Sequence, residues 1–480
     1  MKRHGWAAVL ALTWVFCFTA RAHQSAVSNS TSNADTEPGY CATALSNNDA
    51  WLKQMQEGDE LYRAGNYDDA TAKYVGAAER AGLRADHDFC LGTWLSNLAL
   101  AYSSRGQYAQ ALPASRFSVH LFEEATTSDD PILARHLSQL GTLYAHLGRF
   151  RDAELLYRRV LGILLKSTPG RQLEVLGAQT NLATLYYDTG RYTEAESLFT
   201  EVLRVSQEQL GSTHLGVANA MNNLAAVYVA EGQYSQGELL YNRSLKIDQV
   251  TPGANAVDRA TALNNLGLLY NKETRFIDAA GALRKALEIH EKELGPNHPT
   301  TAITVMNLAS VYANLGRYQD AENLYIHAMR TTEETLGPNH SQYALLLNNL
   351  GSLYAVQHRF SEAEPLFERA LTICEHTLGP EHPDTAVVLS DLAEVNYRQK
   401  RYPVADERFR RSLAILENKL GDDHPVVAKI MLKYALLLRA TKRKAEAKQL
   451  EARANGVLAK QTVHDLSKAV VDVQELKQRY

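Results

Sequence analysis

The sequence predicts an all-α solenoid of helix-turn-helix repeats, and three observations predict it. A turn motif returns as Gly65-Asn66-Tyr67, Gly106-Gln107-Tyr108, Gly148-Arg149-Phe150, Gly190-Arg191-Tyr192, Gly232-Gln233-Tyr234 and Gly316-Arg317-Tyr318. With the glycine replaced it returns as Thr274-Arg275-Phe276, His358-Arg359-Phe360 and Lys400-Arg401-Tyr402. Its aromatic positions, 67 to 402, lie 41 residues apart once and 42 thereafter, and one further step reaches Lys444 in a degenerate tenth unit. Each period also holds apolar residues at helical spacing, as in Asn181-Leu182-Ala183-Thr184-Leu185-Tyr186. A length of 480 residues by itself suggests several domains. A fixed period replaces them with one tandem array.

The elements follow in chain order. Lys2, Arg3 and His4 precede an apolar stretch from Ala7 to Thr19, and Ala20-Arg21-Ala22 supplies a small-x-small site. That order reads as a secretory signal peptide over 1–22, and the expected location is outside the cytoplasm, periplasmic or secreted. The apolar stretch is short for a membrane span of about 18–20 residues, and no later run reaches that length. Residues 23–49 read as a flexible Ser/Asn/Thr-rich leader, 50–455 as about ten repeat units, and 456–480 as a C-terminal tail outside the repeat. Lys442-Arg443-Lys444 and the polar run that follows suit a terminal unit facing water. Of the four cysteines, Cys17 lies in the apolar stretch. Cys41 and Cys90 form a candidate disulfide in an oxidising compartment. Cys374, within a helical apolar run, reads as a small buried hydrophobe.

Within a unit, glycine in the turn supplies the positive φ at which the first helix stops, so the turns at Thr274, His358 and Lys400 are expected to be looser or strained. Three residues after each turn aromatic stands a small residue: Ala70, Ala111, Ala153, Ala195, Gly237, Ala279, Ala321, Ala363, Ala405 and Ala447. These let the two helices approach, with Leu182, Tyr186, Tyr192 and Phe199 filling the space between. This register resembles the tetratricopeptide repeat, whose usual period is 34 residues. The linkers narrow the resemblance: Leu294-Gly295-Pro296-Asn297-His298-Pro299 recurs at 336–341, 378–383 and 420–425, with a weaker copy at 210–214. Together with Asn264-Asn265-Leu266-Gly267-Leu268-Leu269-Tyr270, they are similar to the 42-residue repeats of kinesin light chains and their bacterial relatives. The resemblance covers about residues 50–455. It implies a right-handed superhelical solenoid with the first helix of each pair on the concave face. A signal peptide, and no N-terminal heptad coiled coil, separate this chain from kinesin light chain itself.

Two side-chain series are candidate sites. His214, His298, His340, His382 and His424 share one repeat position, but equivalent positions in neighbouring repeats recur roughly 16–20 Å apart at the usual helix spacing. One zinc ion, with ligands at about 2 Å, cannot use them together. The histidines are expected to serve the connections between helices, with Pro opening the next helix. The second series is amide-rich: Asn97, Gln139, Asn181, Asn223, Asn265, Asn307, Asn349 and Asp391, doubled by Asn222, Asn264 and Asn348. The resemblance places this row in the groove, where an amide, both donor and acceptor, holds a partner's backbone. The same row also suits a ladder between neighbouring helices. Surface pairs such as Glu194/Glu196 and Arg158/Arg159 read as solvated faces.

Phosphate-loop, dinucleotide, zinc-protease, serine-hydrolase and calcium-loop motifs are missing from the sequence, so neither enzyme activity nor a cofactor is expected. Lys plus Arg is 50 against 54 for Asp plus Glu, a net charge of −4, which offers no basic footprint for nucleic acid. The expected function is a non-enzymatic scaffold that binds a partner protein or peptide in the concave groove of an exported array. A cytosolic adaptor of kinesin-light-chain type, or a regulatory subunit of a larger complex, is the alternative.

Overall fold

A computed structural model describes residues 88–166, 170–251 and 255–459, with scattered positions between 53 and 77. Among the described residues of 88–459 there are eighteen helices and no strand. First helices of the pairs (A) are α1 Asp88–Ser104, α3 Pro131–His146, α5 Gln172–Asp188, α7 Leu215–Ala230, α9 Ala256–Lys272, α11 Pro299–Asn314, α13 Ser341–Val356, α15 Pro383–Arg398 and α17 Pro425–Ala440. Second helices (B) are α2 Tyr108–Ala125, α4 Phe150–Lys166, α6 Tyr192–Leu210, α8 Tyr234–Val250, α10 Phe276–Leu294, α12 Tyr318–Leu336, α14 Phe360–Thr377, α16 Tyr402–Leu420 and α18, residues 444–459. These residues form two compact units that divide within α5, between Leu185 and Tyr186. Helix α18 runs past position 455, and Val457 is buried in the core of the last repeats.

Every A helix from α1 to α17 ends the same way. The residue at positions 106, 148, 190, 232, 274, 316, 358, 400 and 442 has a φ between 61° and 85°. The next residue's N–H then reaches back to the carbonyl five positions earlier at 2.8–2.9 Å, as in Arg191 to Tyr186, Arg275 to Tyr270 and Arg401 to Asn396. In the fourth turn Gly190 N–H also bonds the Tyr187 carbonyl at 3.0 Å, completing a Schellman closure. Thr274, His358 and Lys400 therefore hold the glycine geometry at φ 61–63°. Their turns are strained by a Cβ in the left-handed region and are not looser.

The small residues act as expected. Ala111, Ala153, Ala195, Ala279, Ala321, Ala363, Ala405 and Ala447 have no exposed surface, while Ala70 lies outside the described residues. A Cβ on Gly237 would stand 2.7 Å from Val229 Cγ2, so that pair closes on glycine itself. Four residues beyond most of the small positions a large side chain enters the groove between the helices, and Tyr157, Phe199, Tyr241, Tyr325, Phe367 and Phe409 are all at most 3% exposed. A second small residue, on helix A, receives it: a Cβ on Gly141 would meet the Tyr157 ring at 2.8 Å. Leu182, Tyr186 and Phe199 are buried as the sequence suggests, whereas Tyr192 is half-buried. The core continues from pair to pair. Ala302 and Met306 of α11, Tyr325 and Ala328 of α12, and Leu346 and Leu350 of α13 belong to one cluster.

Two stability measurements check this packing. Lys400→Gly relieves the left-handed strain and should stabilise the protein by about 1 kcal/mol in urea unfolding. Phe409→Ala leaves a cavity between α15, α16 and α17 and should cost about 3–5 kcal/mol.

Candidate functional site

Curvature creates the candidate site. Within the second unit α7 packs on α9, α9 on α11, α11 on α13, α13 on α15 and α15 on α17; within the first, α1 packs on α3. Successive B helices approach less closely and are bridged by long side chains, Arg411 to Glu375 at 2.8 Å and Arg453 to Glu417 at 2.9 Å. The A helices are therefore the inner layer, and their free side is concave in each unit.

A riveted turn holds successive repeats in this arrangement. The guanidinium of Arg149, Arg191, Arg275, Arg317 and Arg359 lies 3.9–4.2 Å from the ring centroid of the Tyr five residues earlier. The same arginines pair with a carboxylate three residues on, as in Arg317 to Asp320 at 2.7 Å. A carboxylate of the preceding B helix then joins the stack. Glu238 accepts from Tyr270 Oη at 2.7 Å and from Arg275 Nη1 at 3.1 Å. Glu322 does the same for Tyr354 at 2.8 Å and Arg359 at 3.1 Å. In the last pair Asp406 also accepts two such donors, Tyr434 Oη at 2.8 Å and Arg443 Nη1 at 2.6 Å, although Leu438 stands where the stacked Tyr would be. Reading acidic residues in this part of helix B as merely solvated misses that role; the signal is an acidic residue directly after the small one, as in Ala321-Glu322 and Ala405-Asp406.

The five repeat histidines are N-caps. Nδ1 of His214, His298, His340, His382 and His424 accepts the backbone N–H two residues on at 3.0–3.2 Å. Pro299, Pro383 and Pro425 follow at the first helical position. An Nδ1 acceptor is a neutral imidazole, and burial holds the pKa of His340 down to about 4.

The amide row divides. Asn222, Asn264, Asn307, Asn348 and Asn349 are buried; Asn97, Asn181, Asn223 and Asn265 are half-buried. Several bridge adjacent A helices: Asn181 Nδ2 donates to Ser138 Oγ at 3.1 Å, Asn307 Nδ2 to Asn264 Oδ1 at 3.0 Å, and Asn348 Nδ2 to Asp391 Oδ2 at 3.1 Å. Ser96 and Gln139 make the equivalent bond. Asn223 and Asn265 bridge no neighbouring repeat among the described residues, and Asn265 Oδ1 accepts from the adjacent Asn264 Nδ2 at 3.5 Å. Towards the end of the array, charge replaces amides. Lys433 Nζ bonds Asp391 at 2.8 Å and Glu394 at 3.1 Å, with Ser352 and Arg398 alongside. Burial opposes the Lys433 charge, but the two carboxylates outweigh it and raise its pKa.

Cys41 lies outside the described residues and nothing of the Cys90 side chain is described, so their pairing stays an expectation. Cys374 is buried and unbridged, and burial raises its thiol pKa. Among the described residues no group of His, Cys, Asp and Glu is placed to hold a metal ion, and no helix is long and apolar enough to cross a membrane.

Stacked helix pairs with a polar concave layer define a helical-repeat array. Models of the tetratricopeptide repeat match residues 91–166, 174–249, 302–375, 342–418 and 397–454, with a further one at 259–300. The matches cover more than half of the chain, which belongs to the tetratricopeptide repeat family. Such repeats generally mediate protein–protein interaction. Among solved structures, BtubC (BKLC) from P. vanneervenii is similar at 23% identity over 48% of this chain and 92% of that one, with a TM-score of 0.40. A kinesin light chain with nearly identical repeats from Podosopora anserina matches at 24% identity over 42% and 96%, with a TM-score of 0.35. Rap protein complexed with Competence and Sporulation Factor matches at 16% identity over 78% and 99%, with a TM-score of 0.50. No curated protein matches the sequence significantly.

The caps carry a pH prediction. His340 has a folded pKa below its unfolded value of about 6.5, so its contribution is complete above that pH and is lost as pH falls through about 4. His340→Asn keeps a capping acceptor without titrating. Between pH 6.5 and 4 the parent should lose roughly 2–3 kcal/mol more stability than this variant, read from urea midpoints.

Proposed function

We propose that this protein is a non-enzymatic scaffold that holds a partner protein or peptide against the concave layer of A helices, and that it is exported to a periplasmic or secreted location. The observation that supports it best is the division of the amide row. Asn181, Asn264, Asn307 and Asn348 join neighbouring helices, whereas Asn223 and Asn265 sit half-buried on α7 and α9 without bridging repeats. An amide at that place has donor and acceptor capacity left for an extended backbone. Asn97 shares that degree of burial on α1. Asn222 and Asn349, with the bridging residues, support the groove wall behind them. A structure of the same fold class was determined with its factor bound, which accords with peptide binding by the concave face.

The groove reading is tested with Asn223→Ala combined with Asn265→Ala, using the partner recovered on the immobilised mature protein. Two lost hydrogen bonds should weaken binding by roughly 1–3 kcal/mol, with the melting temperature held or slightly raised because Ala is the better helix former. A loss of affinity that merely follows a loss of stability would reassign both residues to the wall. Export is tested by mass spectrometry of the protein purified from its native host, which should begin at His23. An intact Met1 would favour the cytosolic adaptor.

A further inference from the structure

The second unit meets itself. Gly190, in the turn between α5 and α6, lies against His424, the N-cap of α17; a Cβ on Gly190 would overlap the imidazole. Eleven helices, α6 to α16, intervene. Along the layer of A helices, six steps from α5 to α17 at the usual spacing would separate the two residues by roughly 50–60 Å in a straight stack. The second unit has therefore curled until its two ends meet. Burial of the capping histidines agrees: His214 is exposed and His298 and His340 are half-buried, but His382 and His424 are only 6% and 5% exposed. Asp188, two residues before Gly190, is close enough to Asp384 to act on its carboxyl, which burial and that neighbouring charge push up to about 7.

We propose that the α5–α6 turn and the capping ends of α15 and α17 form a clasp that closes the array edge to edge. Gly190 is the contact point, where the absence of a side chain admits the His424 ring, and Asp188 faces Asp384 beside it. The turn carrying Gly190 would otherwise be an ordinary repeat turn, and its counterpart Gly316 has nothing within 4 Å of an added Cβ. This inference is independent of the partner-binding reading, because it concerns the chain against itself.

Photo-cross-linking tests it. A benzoylphenylalanine is placed at position 423, exposed and next to His424, in the full chain. Irradiation at low protein concentration should join it within one molecule to the tryptic peptide 172–191. The reciprocal probe at position 189 should capture peptide 420–429. Two positions on opposite sides guard against one substitution failing to fold, and circular dichroism verifies both. Either reciprocal cross-link, found in monomeric protein, supports the clasp. Helical variants whose cross-links stay within the repeats adjoining each probe would overturn it.

Discussion

A left-handed residue at the end of each A helix carries the rest of the architecture. It reverses the chain and aims a backbone N–H at the carbonyl five residues back. In five of the nine turns that bond brings the following Arg over the ring of the Tyr whose carbonyl it uses, and in all of them helix B starts directly after it. The small residue three positions past the turn aromatic can then reach zero exposure against helix A. Where glycine is missing, Thr274, His358 and Lys400 adopt the same backbone. Packing on both sides over-determines the turn and absorbs the strain.

From this closure the groove follows. The Arg–Tyr stack presents two donors to one carboxylate of the preceding B helix, and Glu238 and Glu322 accept both. Each such rivet involves partly exposed groups and contributes modestly. Repetition matters more than individual strength, since array stability is a sum of nearest-neighbour terms. Helix A packs directly on the next helix A, while helix B meets the next helix B through long arginine and glutamate side chains. That difference in spacing bends each unit towards its A helices. The concave layer is then built from polar side chains that either satisfy one another or retain unused capacity.

Much of this was legible in the sequence because periodicity survives individual substitutions. The helix pairs, the turn glycines, the small contact residues and the linker histidines all stand at constant offsets. Capping by His298 and its equivalents was legible as a connection role, but the Nδ1 acceptor was not, since His is an uncommon cap. The bridging carboxylates were missed because Glu322 on an amphipathic helix has the same sequence appearance as a solvated one. The amide row could not be divided from sequence either. Its bridges join residues 43 apart, one position off the 42-residue period, as in Asn264 to Asn307 and Asn348 to Asp391. That offset comes from the rotation between repeats. The approach of Gly190 to His424 is further from the sequence still, since small rotations accumulate over eleven helices before the two residues meet.

Hydrogen exchange resolved to single amides tests most directly whether the turn closures govern the fold. The amides of Arg149, Arg191, Arg275, Arg317, Arg359 and Arg401 follow the left-handed residues and donate to carbonyls within the packed helices. If closure and packing form one cooperative unit, these turn amides exchange as slowly as those of Leu308 and Leu350 in the helix cores, and Arg275, Arg359 and Arg401 match Arg191 and Arg317 despite lacking a preceding glycine. Exchange as fast as in the linkers between helices B and A, with the core amides still protected, would contradict this account.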